Sequence, residues 1–318
     1  MRVVVAGAGL AGLAAGRSLV DAGHDVVLFD KGRSPGGRLA TRRIGSATLD
    51  HGAQFFTIRS ERFAGVVAPH LGSGLVYEWS RGFVDGGDGY PRYAVRGGMN
   101  AFAKTLAAGL DVRTSTLVFA IRPAAVASSH RWDVALDDGT TVAADALVVT
   151  CPLPQSYSLL VSAEIELPAQ LIRMEYDRTV ALLVILDGPS AVGEPGGLQH
   201  PTETLSFVSD NRRKGISAVD ALTIHANADW SEAHWGDDHS ALEASLRVEA
   251  APFIGSAAVT AAQIKKWRFA TPRTPSPDPC WIAPADAGPL ALAGDAFAGP
   301  KIEGAVLSGL SAADALLA

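Results

Sequence analysis

The stretch that most limits this chain's fold lies at its start. Residues 2–30 read RVVVAGAGLAGLAAGRSLVDAGHDVVLFD. Val3, Val4 and Val5 form a continuous apolar, β-branched run, the pattern of a central parallel strand buried on both faces. Gly7, Gly9 and Gly12 follow as G-x-G-x-x-G. An Ala- and Leu-rich segment then runs to about Ala22 and predicts a helix, with Gly23 as its stop. Asp25 to Phe29 reads as a second strand, ending at Asp30. Each part has a physical task. Gly7 permits a tight turn, Gly9 lets a pyrophosphate reach the backbone, and Gly12 lets the helix pack closely on the strand. The helix N-terminus offers unpaired N–H groups and the positive end of a dipole to an anion. Asp30 stands eighteen positions after Gly12, where a carboxylate accepts hydrogen bonds from a ribose diol. Such an acid favours an adenosine with a free 2′-hydroxyl over one with a 2′-phosphate. An isolated G-x-G-x-x-G says little; here it sits inside a complete strand–turn–helix–strand–acid unit. By itself the unit implies an ADP-containing cofactor and leaves NAD and FAD both open.

At 318 residues and 48% hydrophobic content, the chain can bury a large core, most naturally in two domains. A net charge of −6 gives no sign of generic nucleic-acid or anionic-membrane binding. Cys151 and Cys280 do not make a disulfide framework, which fits a reducing, cytoplasmic setting. The apolar start is no signal peptide on this reading, because its glycines fit the nucleotide turn and Asp21 and Asp25 follow closely. No uncharged apolar run reaches the ~18 residues of a membrane span. The histidines are scattered, none at zinc-like spacing from a cysteine, so no metal is expected. The expected partner is a small-molecule substrate.

After Asp30, KGRSPGGRLATRR places Arg38 just past the second strand. Its guanidinium fork can meet a phosphate, or the loop can simply be solvated. LDHGAQFFTIR (residues 49–59) carries Gly52 and Ala53, small enough for a flat ring to touch backbone, and Gln54, a neutral donor and acceptor. Phe55 and Phe56 read as core. Residues 66–93 predict a short helix, then strands around Tyr77–Trp79 and Gly82–Val84, with a hairpin-type turn in GFVDGGDGY. A helix follows from about Met99 to Leu110. Residues 111–150 read as β-rich, with a hairpin around DDG and a buried run from Ala146 to Thr150. Strands at 179–186, 207–208, 221–226 and 261–269 predict an antiparallel sheet. A helix within 230–251, started by Asp237 or Asp238, accompanies it. The Pro-rich stretch 271–289 ends that region. Leu290–Ala293 is a last strand running into Gly294–Asp295, and a final helix begins near Glu303–Gly304.

Several segments together carry a family likeness. They are the opening motif, GGRLATRR, DHGAQFFTIR with Phe63, RGGMNAFAK, HANADWS, KKWRFATP and LAGDAFAGPKIEGAVLSGLSAADAL. In these the chain resembles the FAD-dependent oxidoreductases of the renalase-like group, within the wider flavin amine oxidase superfamily. The likeness spans essentially the whole chain. It implies an α/β fold: a Rossmann-like FAD-binding domain of the glutathione-reductase/hydroxybenzoate-hydroxylase type, and a second α+β substrate domain containing an antiparallel sheet. On this chain the FAD domain would comprise 1–60, 96–155 and 285–318, and the substrate domain 61–95 and 156–284. The resemblance implies FAD contacts at Gly7, Gly9, Ala11, Gly12, Asp30 and Lys31. It implies further contacts at Arg38, Gly52, Ala53, Gln54 and Val118, the last through its backbone beside the adenine. Near the C-terminus it implies Gly294, Asp295, Glu303, Gly304 and Ala305, with the last helix facing the flavin pyrimidine end. Reduced flavin carries negative charge there, which a helix dipole stabilises, and Gly304 and Ala305 would leave room for the ring.

Only one dinucleotide fingerprint is present, which favours an oxidase over a reductase that docks a second nicotinamide cofactor. Many amine oxidases hold a lysine near the flavin on a strand that aligns with TVALLVIL. Around Ala181 there is none, so Lys265 or Lys266 would have to substitute. GDAFAGPKIEG holds no cysteine for covalent attachment, so the FAD is expected to be noncovalent. The missing lysine favours the renalase-like chemistry that the resemblance implies. That chemistry is hydride transfer from 2- or 6-dihydro-NAD(P) to flavin N5, with dioxygen as acceptor and NAD(P)+ and hydrogen peroxide as products. Gln54, Trp230, Trp267 and Arg268 are the expected substrate wall, with His225 as the catalytic candidate. A tryptophan can stack on the nicotinamide, Arg268 can pair with a phosphate, and His225 can bond a carboxamide or relay a proton. Each of these residues also suits an ordinary place in a sheet. The competing readings are a flavin amine oxidase for a small amine and a non-catalytic FAD-binding redox protein.

Overall fold

The computed structural model describes residues 1–83, 89–297 and 299–318. Along the chain run β1 (Arg2–Ala6), α1 (Leu10–Asp21), β2 (Asp25–Asp30), β3 (Thr41–Ile44) and β4 (Ala47–Asp50). Then come α2 (Glu61–Gly72), β5 (Val76–Ser80), β6 (Arg92–Val95), α3 (Asn100–Ala107) and β7 (Asp111–Thr114). They are followed by β8 (Val118–Pro123), β9 (Trp132–Leu136), β10 (Thr141–Ala144), β11 (Ala146–Val149), α4 (Leu153–Ser162) and α5 (Ala169–Ile172). Next are β12 (Tyr176–Leu186), β13 (Gly197–Gln199), β14 (Leu205–Asp210), β15 (Ala221–Ala226), α6 (Ala228–Ala233) and α7 (His239–Ile254). The chain closes with β16 (Val259–Pro272), β17 (Trp281–Ile282), β18 (Leu290–Leu292) and α8 (Lys301–Leu317).

These elements form two compact units. The first comprises Met1–Gly37, Ala103–Glu175 and Pro272–Ala318. Its main sheet has the order β17-β18-β11-β1-β2-β7, parallel from β18 to β7, with β17 antiparallel at the edge. Val3, Val4 and Val5 pair on both sides and are buried, as their composition predicts. Fully burying each contributes about 1.5–3 kcal/mol. Helix α8 lies so close to α1 that a Cβ on Gly309 would sit 2.1 Å from the Ala11 carbonyl oxygen. Strands β8, β9 and β10 form a separate antiparallel meander, turning at the expected Asp-Asp-Gly.

The second unit comprises Arg38–Phe102 and Tyr176–Thr271. Its sheet, β13-β14-β15-β12-β16, carries the antiparallel pairs β13–β14–β15–β12. Side chains alternate between its faces. Val180, Leu182, Val184, Leu222 and Ile224 point to one face, where they pack with Leu242 and Leu246 of α7. Leu183 and Ala221 point to the other, against Ala47 and Leu49 of the β3–β4 hairpin. The Asp238 side chain accepts from the Ala241 N–H at 2.8 Å and starts α7; of the two expected caps, Asp238 serves.

Several local expectations differ from the structure. No strand forms at Gly82, whose N–H instead bonds Ser80 Oγ at 3.1 Å in a turn. The partner of β5 is β6, further along the chain, while Val84 and most of the expected turn lie outside the described residues. The β3–β4 hairpin, read from the sequence only as loops, is real and packs on the second unit's sheet. The compact units cut the chain after 37, 102, 175 and 271, where the sequence reading puts 60, 95, 155 and 284; the hairpin's packing accounts for the first difference.

Candidate functional site

In the first unit, the carboxyl ends of the parallel strands carry Gly7, Gly9, Gly12, Asp30, Gly294 and Asp295 of the expected cofactor residues. In such sheets ligands bind at that edge. Gly7 turns the chain after β1 with φ +106. A Cβ on Gly12 would lie 1.9 Å from the Gly7 carbonyl oxygen, so only glycine fits there. Gly9 differs: nothing lies within 4 Å of where its Cβ would be. No side chain caps α1 at Gly9, so its first N–H groups are left for a ligand. Thr150, which the sequence did not single out, locks this turn by donating from its hydroxyl to the Ala6 and Gly7 carbonyls at 3.1 and 3.0 Å.

Asp30 closes β2. Its Oδ2 accepts from the Ala8 N–H and its Oδ1 from the Gly32 N–H, both at 2.7 Å. The carboxylate is thereby aimed by the glycine turn itself, and each oxygen keeps a lone pair for a ribose hydroxyl. Lys31 Nζ donates to Gln155 Oε1 at 3.1 Å. Val118 is buried at the start of β8. After β18, Gly294 donates to Ser308 Oγ at 3.0 Å and Asp295 is buried. No side chain caps α8, and Glu303 stands in its first turn. A Cβ on Gly304 would lie 1.9 Å from the Gly299 carbonyl oxygen. Backbone packing alone therefore explains that glycine, which the resemblance had assigned to making room for a ring.

In the second unit, the loop after β4 is the centre of a polar cluster. Asp50 Oδ2 accepts from Lys214 Nζ at 2.8 Å, with both side chains fully buried. Asp50 Oδ1 accepts from Thr41 Oγ1 at 2.6 Å and from the Met99 N–H at 2.9 Å. Burial pushes the Lys214 pKa down, against the opposing pull of Asp50. Gln54 Nε2 donates to the Asp50 and Gly52 carbonyls at 2.7 and 3.0 Å. Two carbonyl partners fix which end of the amide is nitrogen, and Gln54 Oε1 is left buried without a partner. Gly52 is held by backbone packing, since a Cβ there would lie 1.9 Å from the Arg38 carbonyl oxygen. Ala53 donates its N–H to that same carbonyl at 2.9 Å. Arg38 Nη1 donates to the Phe269 and Ala270 carbonyls at 3.2 and 3.1 Å, ties between its loop and β16 that the sequence did not announce.

His51 follows Asp50. Its carbonyl accepts from Trp267 Nε1 at 2.7 Å and from His225 Nε2 at 3.2 Å. A carbonyl only accepts, so the His225 proton sits on Nε2. Burial, with Lys214 adding to it, pushes the His225 pKa down to about 4. At neutral pH His225 is therefore an uncharged donor to the His51 loop, and Nε2 is not a relay atom. The His51 ring stacks on Trp267, centroids 5.2 Å apart and planes at 18°. Its own pKa falls to about 4 through burial, then Lys265, His225 and Arg42. Phe207, His225 and Ala181 lie side by side across β14, β15 and β12.

The expected substrate wall is not one surface. Trp230 packs into the apolar core on the α7 face of the sheet and stacks on His234 at 4.3 Å. Ile264 faces that same core, and Lys266 Nζ reaches the Trp235 and Asp237 carbonyls at 2.8 Å each. By strand alternation Arg268 falls on that face too, exposed, and Trp267 on the other. Trp230 and Arg268 are thus separated from His225 and Trp267 by the sheet. Of the two candidate lysines, Lys265 is the one whose charge acts on His51. His51 and Lys214 escaped the sequence reading; the only signal for His51 was the Asp-His pair before Gly52, and Lys214 had none.

The description "NAD(P)-binding Rossmann-like domain" matches residues 5–68, where the glycine turn and Asp30 lie. The chain belongs to the family of flavin-containing amine oxidoreductases, whose pattern matches residues 60–317. It is an FAD-dependent oxidoreductase. It is 45% identical over 58 residues to hydroxyneurosporene desaturase of Rubrivivax gelatinosus. It is 47% identical over 53 residues to the Mycobacterium tuberculosis protein named flavin-containing monoamine oxidase AofH. These stretches are 18% and 17% of this chain, and the chain covers only 11% and 12% of those relatives' lengths. In fold it is similar to putrescine oxidase solved with putrescine bound (16% identity, TM-score 0.73, covering 100% of this chain and 99% of that chain). It is equally similar to reduced UDP-galactopyranose mutase (13% identity, TM-score 0.73, 99% and 95% covered). A fold shared by an oxidase and a mutase does not choose the substrate. Among the described residues, no helix is long and apolar enough to cross a membrane.

The residues present fit FAD. The open space at Gly9, the uncapped start of α1 and the doubly aimed Asp30 suit the ADP half, and the uncapped start of α8 suits the flavin pyrimidine end. The buried, unpartnered Gln54 Oε1 suits an N–H of a flat polar ring.

Proposed function

We propose that this chain is an oxidase of the renalase-like branch, acting on a 2- or 6-dihydro-NAD(P) with dioxygen as acceptor and giving NAD(P)+ and hydrogen peroxide. FAD, when bound, supplies the redox chemistry by accepting hydride at N5 and passing electrons on. Gly7, Gly9, Ala11, Gly12, Asp30 and Lys31 hold its ADP portion, with the Val118 backbone near the adenine. Gly294 and Asp295 serve its ribityl or pyrophosphate, Glu303 and Ala305 its pyrimidine end, and Ala53 and Gln54 offer groups suited to a flat polar ring. Attachment is noncovalent, consistent with no cysteine between Gly294 and Gly304. The meander β8–β10 placed before β11 supports the glutathione-reductase type. Cys151 and Cys280 are free thiols, which suits a reducing, cytoplasmic setting.

The observation that carries the substrate reading is the character of one sheet face. Ala181, His225 and Phe207 lie in one row, His51 stacks on Trp267, and Asp50 is already neutralised by Lys214. Such a face offers a flat, aromatic surface under positive potential from Lys265 and Arg42, and Asp50 beside it is not free to pair with an ammonium group. A dihydropyridine ring suits it, and its oxidation needs no general base. Trp267 offers a stacking surface, and His225 keeps the His51 loop in place. The second reading, a small-amine oxidase, draws support from the family itself and from Lys265 near His51.

Anaerobic mixing of the flavoprotein with 2- or 6-dihydro-NAD(P), ordinary NADH and a panel of amines tests this. The isomeric dihydro forms are expected to bleach the flavin rapidly. Bleaching by amines alone would overturn the proposal in favour of the second reading.

A further inference from the structure

His51 is one of the residues of the second unit whose hydrogen bonding the fold leaves unfinished, and the one whose ring is stacked on Trp267. Its carbonyl is doubly engaged, by Trp267 and His225, and its ring is stacked on Trp267. Main chain and ring are therefore both held in place. Yet Nδ1 is buried and has no partner. Buried polar atoms in native proteins nearly always have a partner, and an orphan at a rigid position calls for an explanation. Burial keeps the ring neutral, and in the tautomer with its proton on Nε2, Nδ1 presents a bare lone pair. In that tautomer the missing partner must bring an N–H or O–H.

The surrounding charge narrows the choice. Lys265 on β16 and Arg42 on β3 both put positive potential on His51, and the facing His225 on β15 is neutral. That field repels a protonated amine. It welcomes a neutral donor carried by an anionic molecule. The carboxamide of a nicotinamide nucleotide is such a donor, and its phosphates supply the negative charge. A carboxylate in place of the carboxamide has no N–H to give and would face the Nδ1 lone pair directly.

We propose that His51 Nδ1 accepts a hydrogen bond from the carboxamide N–H of a bound pyridine nucleotide, and so selects carboxamide over carboxylate. This rests on the dihydronicotinamide reading above and sharpens it. His51 is then a specificity residue that touches substrate, while His225 and Trp267 position it.

The test uses the oxidised holoenzyme and equilibrium binding, read as the change in flavin absorbance on titration. The probes are NAD+ and nicotinic acid adenine dinucleotide, its carboxylate counterpart. The proteins are wild type, His51→Leu and His51→Asn, each checked for flavin content. Wild type is expected to prefer NAD+. His51→Leu should lose about tenfold in affinity for NAD+, the worth of one good hydrogen bond, with little change for the carboxylate. His51→Asn, whose amide oxygen can stand in for Nδ1, should stay within about threefold of wild type, which also guards against a misfolded leucine variant. Equal losses for both nucleotides would mean a merely structural role and overturn the proposal. Wild-type NAD+ affinity in His51→Leu would overturn it alone, leaving the donor class intact. If wild type binds neither nucleotide and no dihydro form bleaches the flavin, the donor reading falls and this assignment falls with it.

Discussion

Replacing Lys214 by methionine probes the cluster on which the His51 loop stands. Lys214 and Asp50 are both fully buried, 2.8 Å apart, and Lys214 Nζ also lies 5.0 Å from the Trp79 ring centroid. Methionine keeps most of the apolar stem, so the packing loss is small. What disappears is the cation. Asp50 Oδ1 retains Thr41 and Met99 as donors, but Oδ2 is left buried and charged with none. Removing one partner of such a pair costs about 3–5 kcal/mol, against a total stability of about 5–15 kcal/mol. Unfolding entropy scales with length, and for 318 residues this corresponds to a fall of roughly 5–8 °C in Tm. Urea and thermal unfolding of Lys214→Met, Asp50→Asn and the double variant measure it. The double variant leaves no unpaired charge, so its loss should be smaller than the sum of the two single losses by at least about 1 kcal/mol. A loss below about 1 kcal/mol for Lys214→Met, or strict additivity in the cycle, would refute the argument that this pair is a coupled hub.

The remaining predictions concern pH, the glycine turn and the tryptophan. His51 and His225 take up protons less readily folded than unfolded, with native pKa values near 4 against an ordinary 6.5. Between those two values the unfolded chain binds protons that the native chain does not, so stability is full above pH 6.5 and falls as pH drops toward 4. The loss amounts to roughly 3 kcal/mol per ring; urea unfolding across that window checks it, and a flat profile would contradict it. Gly9→Ala meets open space, so it should fold as well as wild type yet purify with less than about a tenth of the flavin; a fully yellow variant would exclude Gly9 from the pyrophosphate site. Gly12→Ala drives a Cβ into the Gly7 carbonyl and should lower both Tm and flavin content. Trp267→Ala removes the His51 stack and the 2.7 Å bond to its carbonyl; stopped-flow flavin reduction should slow at least about tenfold with FAD content unchanged, and wild-type rates would remove it from the site.

What the amino-acid sequence determined by itself is the part of this protein governed by short-range rules. The β1–α1–β2 unit and Asp30 at its end are each set by residues within about a turn or a strand of one another, and β-branched runs and glycine sterics act at that range. The antiparallel character of the second sheet was legible for the same reason. The sheet faces were not. KKWRFATP is compatible with either parity, and one residue of slip exchanges Trp267 for Arg268; only the packing of Ile264 beneath the sheet and the reach of Lys266 to Asp237 decided it. The Asp50–Lys214 pair joins residues 164 positions apart, and the His51 carbonyl gathers donors from β15 and β16. No local pattern announces such a meeting. It exists because the β3–β4 hairpin lies against the sheet through Ala47, Leu49 and Leu183, and the apolar contact that places the hairpin also places Asp50 and His51 where their buried polar partners must be found.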